Sequence, residues 1–124
     1  MKEIINTNKA PSAIGPYSQA ITNNGLVFVS GQLPVNPEDN TIPEGVTEQT
    51  KQSISNIKAI LKSSNYSLED VVKTTVYLKD MNEFDEMNEV YGNFFSAPFP
   101  ARVAVEVSRL PKDVQVEIDA IAIK

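Results

Sequence analysis

Apolar positions along this chain recur with two periods, and the switches between them mark out strands and helices. Val46, Thr50, Ile54, Ile57 and Leu61 step by four, four, three and four, the stripe of a single helical face. Thr47, just after Gly45, is the expected N-cap of that helix. Phe84, Met87, Tyr91 and Phe94 step by three, four and three, and Asp80-Met81-Asn82-Glu83 supplies a capping-box-like start to a second helix. The other apolar segments have period two. Val71 to Leu78 sets Thr74, Val76 and Leu78 on one face and Lys73, Thr75 and Tyr77 on the other. Arg102 to Ser108 turns Val103, Val105 and Val107 inward, and Val114 to Ile123 sets Val116 and Ile118 opposite Glu117 and Asp119. Gln19 to Thr22 and Leu26 to Ser30 flank Asn23-Asn24-Gly25, whose Asn-Gly pair is a hairpin signal. A short strand is expected at Lys2 to Ile5.

The order β-β-β-α-β-α-β-β predicts an α+β chain of about six strands, in a mostly antiparallel or mixed sheet with both helices on one face. Two helices cover only one face of such a sheet. Val27, Val29, Tyr77, Ala104, Ile121 and Ile123 are then expected to carry apolar groups on the other face, which an oligomer would bury. A length of 124 residues, without repeat or linker, predicts one domain over 1–124.

Composition narrows the chemistry. The net charge is −5, and only two of the eleven basic residues, Arg102 and Arg109, are Arg. Nucleic acid is therefore not an expected partner, since phosphate neutralisation needs a basic face. The absence of Cys removes thiolate nucleophiles and thiolate metal sites, and the absence of His removes catalytic triads and imidazole ligands. Catalysis must use Arg, Lys, Glu, Asp, Tyr, Ser, backbone groups and water; neither a metal nor a cofactor is expected. The N-terminus Met1-Lys2-Glu3-Ile4-Ile5-Asn6 lacks an apolar signal-peptide region and no apolar run reaches membrane-spanning length, so the expected location is cytoplasmic, with no membrane partner.

A hairpin of Arg102–Ser108 with Val114–Ile123 would make Arg102 and Glu117 diagonal neighbours on one face, roughly 7–8 Å apart. That gap suits a small molecule carrying one carboxylate. The same pattern also fits a plain cross-strand ion pair of Arg102 with Asp119 or Glu106. Elsewhere, Ile14-Gly15-Pro16-Tyr17 is a rigid turn with Tyr17 at its tip. Ser30-Gly31-Gln32 ends a strand where Gly31 admits close approach to the backbone. Asn88 is a polar helix residue.

Together these segments resemble one family. Ile14-Gly15-Pro16-Tyr17, Ser30-Gly31-Gln32, Val72-Lys73-Thr74-Thr75-Val76, Phe99-Pro100-Ala101-Arg102, Arg109-Leu110-Pro111-Lys112-Asp113 and Val116-Glu117-Ile118 fall in the order of the YjgF/Rid family of reactive intermediate deaminases, also labelled endoribonuclease L-PSP. The resemblance implies a chorismate-mutase-like fold, a homotrimer with clefts between subunits, and hydrolysis of 2-imino or 2-enamino acids to 2-oxo acids and ammonia. It implies that Arg102 binds the substrate carboxylate and Glu117 positions water. Tyr17 (from a neighbouring subunit), Ser30, Gly31 and Asn88 are implied as further cleft contacts. Many bacterial members carry Cys where this chain has Ala104, so a thiol is excluded there and only a backbone contact remains.

These residues suffice for the chemistry expected. Iminium carbons are already electrophilic, so positioning plus general-base help, the latter worth ~10²–10⁴-fold, is enough. Competing expectations are a trimer that binds 2-oxo or 2-amino acids without turnover, RNA cleavage or translation inhibition from the older family label, and a chorismate-mutase-type rearrangement suggested by fold alone.

Overall fold

The computed structural model describes all residues, Met1–Lys124. The strands are β1 (Glu3–Ile5), β2 (Ala20–Asn23), β3 (Leu26–Gln32), β4 (Val71–Leu78), β5 (Ala101–Glu106) and β6 (Val116–Ile123), and the helices are α1 (Val46–Lys62) and α2 (Phe84–Phe94). Their order along the chain is the one the sequence predicts. They form a single six-stranded mixed sheet in the order β1-β2-β3-β6-β4-β5, antiparallel except for the parallel pair β4–β5.

The β2–β3 hairpin turns on Asn24 (φ 52) and Gly25 (φ 81), the two left-handed residues that a type I′ turn requires. Gly25 does more than bend the chain. A Cβ there would lie 2.8 Å from the Lys124 carbonyl oxygen, and the Gly25 carbonyl accepts hydrogen bonds from the Tyr66 hydroxyl and the Lys124 amide. Gly25→Ala is therefore expected to cost roughly 1–3 kcal/mol of stability, from the left-handed backbone and the backbone clash. A denaturant titration at unchanged m-value checks it.

Helix α1 buries Ile54, Ile57, Ile60 and Leu61 completely against the sheet. Each such side chain contributes about 1.5–3 kcal/mol relative to exposure. Gly45 (φ 87) occupies the N-cap of α1, not Thr47, and no side chain caps the end. Ahead of α2, the Asp80 carboxylate accepts from the Asn82 amide, as the capping pattern predicts. Glu83 does not complete the box: its carboxylate accepts from the Gln115 side chain instead.

Thr74, Val76 and Leu78 of β4 and Val116, Ile118, Ala120 and Ala122 of β6 are buried under the helices. The expected alternation in both strands holds. Two other expectations fail. Val27 and Val29 are buried on the helix side, and Ala104 packs against the core from that side. Tyr77, Ile121 and Ile123 lie on the open face as expected, joined there by Phe28, Val103 and Val105, the two valines 42% and 37% exposed rather than inward.

The expected β5–β6 hairpin does not form. β6 inserts between β3 and β4, and β5 takes the sheet edge beside β4. The reason is the segment β4–α2–β5: a helix that crosses over one face returns the chain parallel to the strand it left. β6, buried at every second residue along its length, then takes the centre.

Candidate functional site

The candidate residues gather into two clusters. The first lies where the edge strand β5 meets α2. Arg102 pairs in register with Thr74, so its side chain leaves the sheet on the helix side. There its guanidinium carbon sits 4.7 Å from the centre of the Tyr91 ring and 5.5 Å from that of Phe84, and Nη1 donates to Asn88 Oδ1 at 2.7 Å. Phe84, Asn88 and Tyr91 are spaced four and three apart, so one face of α2 meets the guanidinium. Asn88, Tyr91, Gly92, Phe99, Pro100 and Arg102 line a cavity of about 420 Å³.

Arg102 has no acidic partner. The chain has two ion pairs, Lys51–Glu48 and Arg109–Asp113, and the expected alternative pairing of Arg102 with Asp119 or Glu106 is not made. Glu106 accepts from the Met81 amide, and Asp119 accepts from the Tyr77 hydroxyl. A cation held by an amide oxygen and two aromatic faces keeps its remaining N–H donors for an added acid group.

The second cluster lies on and beside the open face. Glu117 is next to Tyr77 in register and on the same side as Asp119. Its carboxylate lies against Gly31, where a Cβ would fall 2.0 Å from Glu117 Oε2. Burial, and secondarily the Asp119 charge, raise the Glu117 pKa above its ordinary value. The Ser30 hydroxyl donates to the Ser18 carbonyl at 2.6 Å, so its proton is committed and its lone pairs are what it can offer a ligand. Tyr17, half-exposed, shares a larger cavity, of about 520 Å³, with Gly31, Gln32 and Lys112.

Within one chain the two clusters do not meet. Arg102 and Glu117 are two strands and three residues apart, about 14 Å between Cα atoms by sheet spacing, and their side chains leave opposite faces. The diagonal contact expected from a β5–β6 hairpin is thus overturned. Ala104 stays with Arg102 on the helix side. Tyr91 and Phe84, which the sequence marks only as an apolar helix stripe, prove to touch the guanidinium; their spacing with Asn88 was the available signal. Lys112, with φ 59, lines the Tyr17 cavity; it lies in the Arg109–Asp113 stretch of the family resemblance, which gives it no role of its own. No cluster of three or more Asp and Glu side chains is arranged to hold a metal ion. No helix is long and apolar enough to cross a membrane.

The sequence profile of the endoribonuclease L-PSP family matches residues 7–124. A RutC family protein of Pyrococcus horikoshii is 58% identical over 100% of this chain and 99% of its own. A protein of Escherichia coli strain K12 named 2-iminobutanoate/2-iminopropanoate deaminase is 47% identical over 100% of this chain and 99% of its own. The crystal structure of Escherichia coli TdcF with bound serine superposes with a TM-score of 0.95 at 46% identity, covering 98% of each chain.

Proposed function

The chain belongs to the endoribonuclease L-PSP family, the YjgF/Rid group, and from that premise we propose that it hydrolyses 2-imino acids and their enamine tautomers to 2-oxo acids and ammonia. The observation that carries this reading is Arg102: a guanidinium lining a cavity, lying over the Tyr91 ring and tied to Asn88, with no carboxylate of its own. Its in-plane donors suit a substrate carboxylate through paired, charge-assisted hydrogen bonds, which a lysine ammonium cannot reproduce.

In the proposed reaction Glu117, ionised, accepts a proton from water as the water oxygen bonds to the electrophilic C=N carbon. The iminium nitrogen takes up the electron pair of the C=N bond. In the tetrahedral species Glu117 returns that proton to the nitrogen; the C–N bond then breaks as the hydroxyl oxygen forms the C=O bond, its hydrogen passes to Glu117 and on to solvent, and the nitrogen leaves as ammonia. Ser30, Gly31 and Asn88 are the candidate contacts to the reacting centre, and Ala104 offers only its backbone.

Because Arg102 and Glu117 diverge within one chain, the reading requires two protomers per site. One contributes Arg102 and Asn88, and its neighbour contributes Glu117, Gly31 and Tyr17. The exposed apolar groups of the open face, Phe28 (47% exposed), Val103, Val105 and Ile123 (45%), support burial against further copies in a homotrimer.

One experiment addresses both parts. Wild type is expected to accelerate ammonia release from enzymatically generated 2-aminoacrylate and to have the solution mass of a trimer. Val105→Asp, which sets a charge on the open face, is expected to lower the mass to that of a monomer and the rate to that of buffer. A monomeric variant with full activity would overturn the shared site, and a wild type no faster than buffer would overturn the reaction.

A second reading, a trimer that binds amino or oxo acids without turnover, is favoured by the serine bound in TdcF. Saturable binding of serine or 2-oxobutanoate with no faster ammonia release would select it. RNA cleavage gains nothing from a chain of net charge −5 with no His.

A further inference from the structure

We propose that Tyr91, with Phe84, is a positioning residue: the two rings fix the plane of the Arg102 guanidinium so that its free edge faces the cavity. The inference rests on the carboxylate-binding role proposed for Arg102 and deepens it.

The geometry begins in the sheet. Thr74 of β4 and Arg102 of β5 are register partners, side by side on the helix face. The Tyr91 hydroxyl is 2.7 Å from Thr74 Oγ1, and both residues are buried, at 4% and 0% exposure. The Phe95 ring lies against Tyr91, with centroids 4.6 Å apart. Tyr91 is thus pinned at its hydroxyl and along its ring, and its remaining surface meets Arg102 at 4.7 Å. Phe84 adds a second ring at 5.5 Å.

Stacking uses the face of a guanidinium, whereas a carboxylate binds at its edge, in the plane. The two contacts do not compete, so the rings can hold the group while its donors stay available. Asn88 takes one of those donors and sets the rotation within the plane. An arginine immobilised before the substrate arrives loses less side-chain freedom on binding, and that saving appears as affinity.

The test is steady-state kinetics of ammonia release, with calorimetric binding of 2-oxobutanoate as a readout independent of turnover. Tyr91→Leu removes the ring face and is expected to raise KM and weaken 2-oxobutanoate binding by about three- to tenfold, with kcat within about twofold. Tyr91→Phe keeps the face and is expected to retain KM within about twofold, a rescue that a merely space-filling role of the hydroxyl end would not give. In an Arg102→Ala background Tyr91→Leu is expected to change KM no further. Should Tyr91→Leu fail to fold, Phe84→Leu, whose ring is only half-buried, is read with the same signs. A folded ring-deleted variant with wild-type KM and wild-type 2-oxobutanoate affinity would overturn the positioning role. It would leave the proposed reaction standing, whereas a wild type with no turnover removes the reaction itself.

Discussion

Arg102→Ala is expected to lower kcat/KM for the proposed 2-imino acid hydrolysis by roughly 30- to 4,000-fold, with most of the loss in KM. The magnitude follows from removing one partner of a hydrogen-bonded charge pair, about 2–5 kcal/mol, at 1.4 kcal/mol per factor of ten. KM takes most of it because the carboxylate is bound alike in ground state and transition state. The fold should tolerate the change, since Arg102 is only partly buried on an edge strand and makes no ion pair. Arg102→Lys is expected to fall between wild type and alanine: an ammonium keeps the charge but neither the fork nor the flat face that stacks on Tyr91. Ammonia release from enzymatically generated 2-aminoacrylate, corrected for hydrolysis in buffer, measures the series. Equal rates for wild type and Arg102→Ala would remove Arg102 from the mechanism.

How much of this could be read from the sequence depends on whether a feature is local. The Asn24-Gly25 turn, the stripe from Val46 to Leu61 and the alternation of Val116, Glu117, Ile118 and Asp119 are each decided by backbone sterics and burial within a few residues, and all appear as expected. Strand partnership is not local. Two alternating segments joined by Arg109-Leu110-Pro111-Lys112-Asp113 suggest a hairpin, but the chain has already committed β5 to a parallel edge through β4–α2–β5. The β-α-β order was itself visible and was the stronger signal. The error propagated to the site: with β5 at the edge, Arg102 and Ala104 face α2, and the two valines between and beyond them, Val103 and Val105, face outward. The expected cross-strand Arg102–Glu117 contact becomes two separate clusters. The resemblance named the same candidate residues but could not give their arrangement within one chain. The role of Tyr91 was hidden for a related reason, since a helix stripe reports burial without saying which polar group lies at its margin.

Glu117→Gln and Gly31→Ala are expected to lower kcat by similar factors, about 10²-fold or more, through the same atom. The substitution at Glu117 deletes the proposed base. The substitution at Gly31 displaces it, because the added Cβ would fall 2.0 Å from Glu117 Oε2. That oxygen is the free end of a flexible side chain, so the carboxylate swings away while the sheet stays intact. The double variant should therefore be no slower than Glu117→Gln alone, the non-additivity expected when one residue acts through another. The pH dependence follows from the raised Glu117 pKa. Burial disfavours the carboxylate, so the base form is lost as pH falls through a value above the ordinary 4.5 of glutamate, and the acid limb of wild-type kcat/KM lies correspondingly high. Glu117→Gln should remove that limb. Stability has the opposite sign. The folded protein disfavours the ionised form, so the destabilisation is absent below the unfolded-state pKa and develops as pH rises through the folded one. Glu117→Gln should accordingly have the higher Tm at pH 7, with the difference vanishing in acid. An acid limb that survives in Glu117→Gln, or a Gly31→Ala defect that adds in full to it, would assign proton transfer to another group.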